Sequence, residues 1–268
     1  MNKQKKICFI GAGNMGEALI KGLGRDKSAF QIGIFDTNKE RTAVIKKNYK
    51  VAILKTVLEI NEYEICILAI KPQTVHEVIG ELSSFLKKNV LLVSIAAGLT
   101  IGFYKKYFPQ NRIARVMPNT PALINQGMSG ICFSADCSLQ HKKIVSKIFE
   151  NVGDILPIEE KLMNSVTALS GSGPAYFFYF ADVFAREALE IGLNYNDALH
   201  LISKTMLGAA QMILRNKQTP AELVSMVTSP KGTTEAALKV LQASEISAII
   251  KDTLLGAKKR AEELSKNI

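Results

Sequence analysis

Lys5-Lys6-Ile7-Cys8-Phe9-Ile10-Gly11-Ala12-Gly13-Asn14-Met15-Gly16 sets the architecture expected for the chain. A short apolar run leads straight into G-x-G-x-x-G, and Ala18, Leu19 and Leu23 follow at helical spacing. Strand, glycine turn and helix in that order form the unit that binds a dinucleotide. Gly11 permits the tight turn. Gly13 has no Cβ, so backbone can approach a pyrophosphate, and Gly16 lets the helix lie close on the strand. The phosphates would meet unpaired N–H groups at the positive end of that helix. Glycines also mark ordinary turns, and here the flanking strand and helix favour cofactor binding.

Outward from this turn, strands are expected over 31–36, 51–54, 64–70, 89–94, 112–117, 129–133 and 154–157. Segment 64–70 is nearly continuously apolar, as in a parallel sheet buried on both faces. Helices are expected over 37–48, where Thr37 and Glu40 read as a capping box, over 74–86 and over 138–150. The pattern is doubly wound α/β. After Pro157 helical periodicity runs to the end, with helices over 159–169, 174–191, 195–215, 220–226, 233–241 and 245–265. Pro174 and Pro220 suit first turns, and Thr219 with Glu222 makes a capping box. The expected organisation is a dinucleotide-binding Rossmann-like domain over 1–157 and an all-α domain over 158–268. The helix after Pro174 carries Ala175-Tyr176-Phe177-Phe178-Tyr179-Phe180-Ala181, apolar around most of its circumference. A helical domain of roughly 110 residues does not readily surround it, which points to a partner chain.

With 268 residues, 47% hydrophobic and 22% charged, the chain is a folded globular protein with a real core. The net charge of +10 raises the question of nucleic acid. The basic residues are scattered, with short clusters at 3–6 and 258–260 and no nucleic-acid module beside them, so a solvated basic surface is expected. Cys8, Cys66, Cys132 and Cys137 form no C-x-x-C, and His76, His141 and His200 lack ligand spacing. Reduced core thiols are therefore expected, and no metal. The lysine-rich start precedes an apolar run too short for a signal peptide, and 90–103 is too short to span a bilayer. A soluble, cytoplasmic protein without a membrane partner is expected.

Three further loops stand out. Ala69-Ile70-Lys71-Pro72 lies at the carboxyl end of a strand, where open α/β sheets bind ligands. Met117-Pro118-Asn119-Thr120-Pro121-Ala122 is the second. Val227-Thr228-Ser229-Pro230-Lys231-Gly232-Thr233-Thr234 is a proline turn feeding a helix N-terminus, which suits a carboxylate. Here the sequence resembles the pyrroline-5-carboxylate reductase family over nearly its whole length. The resemblance rests on G-A-G-N-M-G, A-I-K-P, S-I-A-A-G, R-V-M-P-N-T-P-A, A-L-S-G-S-G-P-A-Y and T-S-P-K-G-T-T, in that order. It implies reduction of a cyclic imine to L-proline with NADPH or NADH, and a homodimer that can assemble into a ring of dimers.

By motif, the resemblance assigns the cofactor to Ile10, Gly11, Ala12, Gly13, Asn14 and Met15, to Ala69, Ile70, Lys71 and Pro72, and to Ile95, Ala96 and Ala97. It assigns the substrate to Ser229, Gly232, Thr233 and Thr234, with Thr234 as the candidate catalytic group. Glu160 matches a family position near the substrate. Equally, it reads as an acidic residue favoured at a helix N-terminus. Lys231 stands where the family usually has glycine, which leaves the loop geometry open. Thr56 stands where many members have an asparagine reaching the adenosine ribose. Asp36, with Thr37 and Asn38 beside it, ends the second strand; an acid there can hold a ribose 2′-OH and repel a 2′-phosphate. Asn38, Lys39 and Arg41 could bind that phosphate instead, or serve as a helix cap and solvated charges. The alternatives carried forward are a paralogue reducing another imine or a 3-oxo acid, and a non-enzymatic dinucleotide sensor. A sensor would not need the second anion site at 229–234.

Overall fold

The computed structural model describes residues 4–25 and 29–266; Lys3, in the basic cluster at 3–6, lies outside them. Among the described residues eight strands form one sheet. They are β1 (Lys5–Ile10), β2 (Phe30–Phe35), β3 (Ala52–Ile53), β4 (Ile65–Leu68), β5 (Leu91–Ser94), β6 (Ile113–Met117), β7 (Gly127–Phe133) and β8 (Gly153–Pro157). Their order is β3-β2-β1-β4-β5-β6-β7-β8. The first six are parallel, in the strand order of dinucleotide-binding sheets. β7 runs antiparallel to β6, and β8 is parallel to β7.

The period of two along a strand sorts side chains between two cores. Ile7 and Phe9 of β1 face a cluster with Leu19, Ile45 and Phe149. Cys8 and Ile10 face the other, with Val75, Ile79, Leu82 and Tyr104. The first cluster is closed by α1 (Asn14–Leu23), α2 (Lys39–Asn48) and α5 (Leu139–Glu150), the second by α3 (Val75–Ser83) and α4 (Ile101–Tyr107). Sheet covered on both faces is what the apolar run at 64–70 requires.

Three local expectations are corrected. The cap of α2 is Asn38, whose Oδ1 accepts the Arg41 N–H at 2.9 Å; Thr37 and Glu40 form no capping box. The reason is Asp36, whose Oδ1 accepts the Asn38 N–H at 2.8 Å and turns the chain one residue later. α4 was not expected. Seven residues give little periodic signal, and burial of Ile101 and Tyr104 with the Thr100 cap fixes it. The continuous helix expected over 159–169 is instead a 3-10 turn (Glu160–Leu162), α6 (Met163–Val166) and a π-helical turn (Thr167–Gly171). Ser172 N–H bonds to the Thr167 carbonyl at 2.8 Å. Gly171 leaves room for Met117, whose Cε would lie 2.5 Å from a Cβ there.

The chain packs as two compact units, residues 1–174 with 255–268, and residues 175–254. The change from strands to helices at Pro157 differs from this division because packing continues past it. Met163 is fully buried in the second core, and Val166 packs on Gly130. α7 (Gly173–Glu187) crosses into the second unit, which also holds α8 (Tyr195–Arg215), α9 (Pro220–Met226), α10 (Thr233–Ala243) and the start of α11 (Ile246–Lys266). The end of α11 belongs to the first unit, where Ala261 is buried and Ser265 Oγ donates to the Gly98 carbonyl. In the second unit the only buried apolar residues among those described are Ala185, Ala198 and Leu223. Phe178 of α7 is 69% exposed and Tyr179 64%. The chain itself does not bury this aromatic helix.

Candidate active site

Register brings the carboxyl ends of four strands level, with Ile10 beside Phe35 and Leu68, and Leu68 beside Ser94. The candidate cofactor residues follow these ends. Gly11 has φ +91°, and a Cβ there would lie 2.6 Å from the Ala69 carbonyl oxygen. Its N–H donates to the Phe35 carbonyl, and Ala69 N–H donates to that of Ile10, each near 2.9 Å (2.9 and 2.8 Å). The first turn thus reaches both neighbouring strands. Gly13 is the N-cap of α1, with no side-chain cap, and a Cβ there would meet nothing within 4 Å. The first helical bond runs from Glu17 N–H to the Gly13 carbonyl, so the N–H groups of Asn14, Met15 and Gly16 carry no intrahelical bond. Open space beside unpaired N–H groups at a helix start fits a pyrophosphate.

On one side of this turn Asp36 accepts N–H groups from Ala12 at 2.7 Å and Asn38 at 2.8 Å. Thr37 and Asn38 are exposed. Beyond β3, Thr56 starts a 3-10 turn closed by Glu59, whose Oε1 accepts the Thr56 N–H at 3.0 Å. On the other side, Ile70, Lys71 and Pro72 follow β4, with Lys71 exposed. Ile95, Ala96 and Ala97 follow β5, and Ile95 N–H donates to the Leu68 carbonyl at 3.2 Å. The structure therefore gathers all of these segments along one edge.

Glu160 stands in the first turn of the 3-10 helix, as the helix-end reading expected, and it also has partners that the sequence did not show. Its Oε1 accepts the Ile101 N–H at 2.6 Å and lies 3.4 Å from Nη1 of Arg115. The Arg115 side chain is 3% exposed, and its Nη2 also donates to Asn164 Oδ1 at 3.2 Å. Glu160 thus balances a buried cation on β6 and holds the start of α4. Sequence reasoning passed over Arg115, although a charge inside an apolar strand was its visible signal. Removing one partner of a buried pair exposes the other to the full desolvation cost. Because the Glu160 side chain is 33% exposed, solvent screens part of that cost. Glu160→Ala is expected to cost about 1–3 kcal/mol in urea unfolding; unchanged stability would show that the pair is idle. Asn119, in a loop singled out but given no role, accepts the Met128 N–H at 2.8 Å and donates to Ser170 O and Oγ at 3.3 Å. It ties the loop after β6 to the π turn.

The cysteines are free and buried. Burial pushes the Cys8 thiol well up, and burial followed by the nearby Glu160 charge pushes Cys132 up to about 12. Cys8 and Cys132 are therefore protonated core thiols, not nucleophiles.

In the second unit, Ser229 to Thr234 forms a tight turn into α10. Gly232 N–H donates to the Ser229 carbonyl at 3.0 Å, and a Cβ on Gly232 would lie 2.4 Å from Ser229 Oγ. Gly232 is the N-cap without a side-chain bond, and the first helical bond is Ala236 N–H to its carbonyl. Thr233 and Thr234 are therefore the first two helical residues, with unpaired N–H groups. Neither hydroxyl has a hydrogen-bond partner among the described residues, so neither is the cap. Lys231 adopts φ +60°, and its N–H donates to Glu235 Oε2 at 2.6 Å. The turn thus keeps the left-handed conformation natural to glycine. Lys231→Gly is expected to keep kcat/KM within about tenfold, under roughly 1.4 kcal/mol. A loss of several orders of magnitude would make the ammonium a participant and favour the paralogue reading.

The strand order and the glycine turn define a dinucleotide-binding protein of the Rossmann type. Residues 6–98 match the family model described as NADP oxidoreductase coenzyme F420-dependent, and residues 160–264 match that described as pyrroline-5-carboxylate reductase dimerisation. The chain is 38% identical to pyrroline-5-carboxylate reductase of Pseudomonas aeruginosa, over 98% of each chain. It is 36% identical to pyrroline-5-carboxylate reductase 2 of Bacillus subtilis, over 97% of this chain and 95% of the relative. The solved pyrroline-5-carboxylate reductase of Coxiella burnetii superposes with a TM-score of 0.91 at 32% identity, over 98% of this chain and 99% of that one. The pyrroline carboxylate reductase of Plasmodium falciparum, solved with NADP bound, gives 0.86 at 27% identity, over 97% of this chain and 98% of that one. The chain belongs to the pyrroline-5-carboxylate reductase family. It is an NAD(P)-dependent oxidoreductase with a dimerisation domain, and it forms homo-oligomers.

Proposed function

We propose that this protein reduces 1-pyrroline-5-carboxylate to L-proline with NADPH or NADH, the last step of proline biosynthesis. The observation that carries this reading is the match to pyrroline-5-carboxylate reductases along the whole chain. The reduced nicotinamide supplies a hydride to the C=N carbon. The chain's own residues bind and orient. Gly11 to Met15, Ala69 to Pro72 and Ile95 to Ala97 hold the dinucleotide, with Ile10 beneath the turn and Asp36, Thr37, Asn38 and Thr56 on the ribose side. The unpaired N–H groups of Thr233 and Thr234, with the Ser229 hydroxyl, take the substrate carboxylate at the positive end of α10. Thr234 Oγ1 accepts from the protonated imine nitrogen and fixes the face presented to the hydride. A protonated imine is already electrophilic, so no strong acid is needed from the protein. Glu160 acts through Arg115 and the start of α4.

The same reading puts the enzyme in the cytoplasm as a homodimer through α7, extending to a ring of dimers, with neither nucleic acid nor membrane as partner. Among the described residues no helix is long and apolar enough to cross a membrane. The test is consumption of NADPH and NADH on adding 1-pyrroline-5-carboxylate, with proline identified as product. Cofactor binding without consumption would overturn the assignment.

A further inference from the structure

Ala12, between the first two glycines of the turn, is gripped at both ends of its backbone. Asp36 Oδ2 accepts its N–H at 2.7 Å, and Arg41 Nε donates to its carbonyl at 2.6 Å. Nη2 of the same guanidinium is ion-paired with Glu17 Oε2 on α1, and Glu17 Oε1 accepts the Tyr49 hydroxyl at 3.0 Å. The Arg41 and Glu17 side chains are 28% and 23% exposed. Two helices and the glycine turn are thus joined through one arginine.

We infer that Arg41 is a positioning residue for the glycine turn that serves NADPH and NADH alike, and not a ligand for the 2′-phosphate. The inference rests on the proposed use of a nicotinamide dinucleotide. A bidentate grip on phosphate needs two parallel N–H groups from one edge of the guanidinium fork. The edge made by Nε and Nη2 is already engaged, which leaves a phosphate only the Nη1–Nη2 end, and the Glu17 carboxylate offsets the charge it would seek. Fixing the Ala12 peptide fixes the direction of the N–H groups that follow it, and these would face the pyrophosphate common to both cofactors.

Equilibrium titration of the full chain with NADPH and with NADH tests this on Arg41→Ala, Arg41→Lys and Glu17→Gln, beside steady-state kinetics. Arg41→Ala is expected to raise both dissociation constants by a similar factor, roughly tenfold or more, as for a lost bond from a charged donor. The KM for the imine and kcat at saturating cofactor should move less than about twofold. Arg41→Lys, which keeps one donor, should recover part of the loss for both cofactors. Glu17→Gln should weaken both. A phosphate ligand would behave otherwise: Arg41→Ala would weaken NADPH alone, and Glu17→Gln, by freeing the guanidinium, would tighten NADPH alone. Either result overturns the inference, as would a lower melting temperature with both dissociation constants unchanged. If the wild-type protein binds neither dinucleotide, the inference fails together with the functional reading. If it binds both but does not reduce the imine, only the substrate assignment fails.

Discussion

Thr234→Ala is expected to lower kcat/KM for 1-pyrroline-5-carboxylate by roughly 10- to 1,000-fold, the range for a lost orienting contact. Cofactor affinity and the oligomer should hardly change. Thr234 stands one residue inside α10, where Gly232 already occupies the cap position. Its hydroxyl is therefore available to a ligand. An N-cap threonine would be worth about 1 kcal/mol of stability, and the structure gives Thr234 no such bond. Melting of the variant should stay near wild type, within about 0.5 kcal/mol for a side chain without internal partners. Near-normal turnover with a clear drop in stability would reverse this assignment and move substrate orientation to Ser229.

The second large effect is expected at α7. Aspartate at both Phe177 and Phe178 should raise the dissociation constant of the dimer by at least about a thousandfold, since buried interface aromatics contribute about 2–4 kcal/mol each. These side chains are 59% and 69% exposed in the single chain. An apolar surface of that extent calls for a covering partner, and the matched dimerisation model spans this helix. Sedimentation velocity should find monomers at micromolar concentration. The sheet should persist by circular dichroism, because its two cores lie almost wholly in the first unit. An unchanged dimer would place the interface elsewhere.

Much of this was legible in the sequence because its signals are local. The run Ile7 to Ile10 with three spaced glycines names strand, turn and helix within a dozen residues. α8 and α9 begin and end where helical periodicity and, for α9, the Thr219–Pro220–Glu222 signal place them. The lysine replacing glycine in the substrate turn was also visible, although its φ of +60° was not. The tertiary structure decided what depends on distant partners. Asp36 and Arg41 read as opposed influences on the cofactor, and only the fold shows that both also bond Ala12, from 24 and 29 residues away. Glu160 is the helix-end charge that the sequence showed, and only the fold reveals that it meets Ile101 across 59 residues and the buried Arg115. α4, the π turn and the reversed direction of β7 likewise lack a local signature. A charged side chain goes to whichever backbone group or counter-charge packing leaves unpaired nearby, and that choice exists only once the strands have been set side by side.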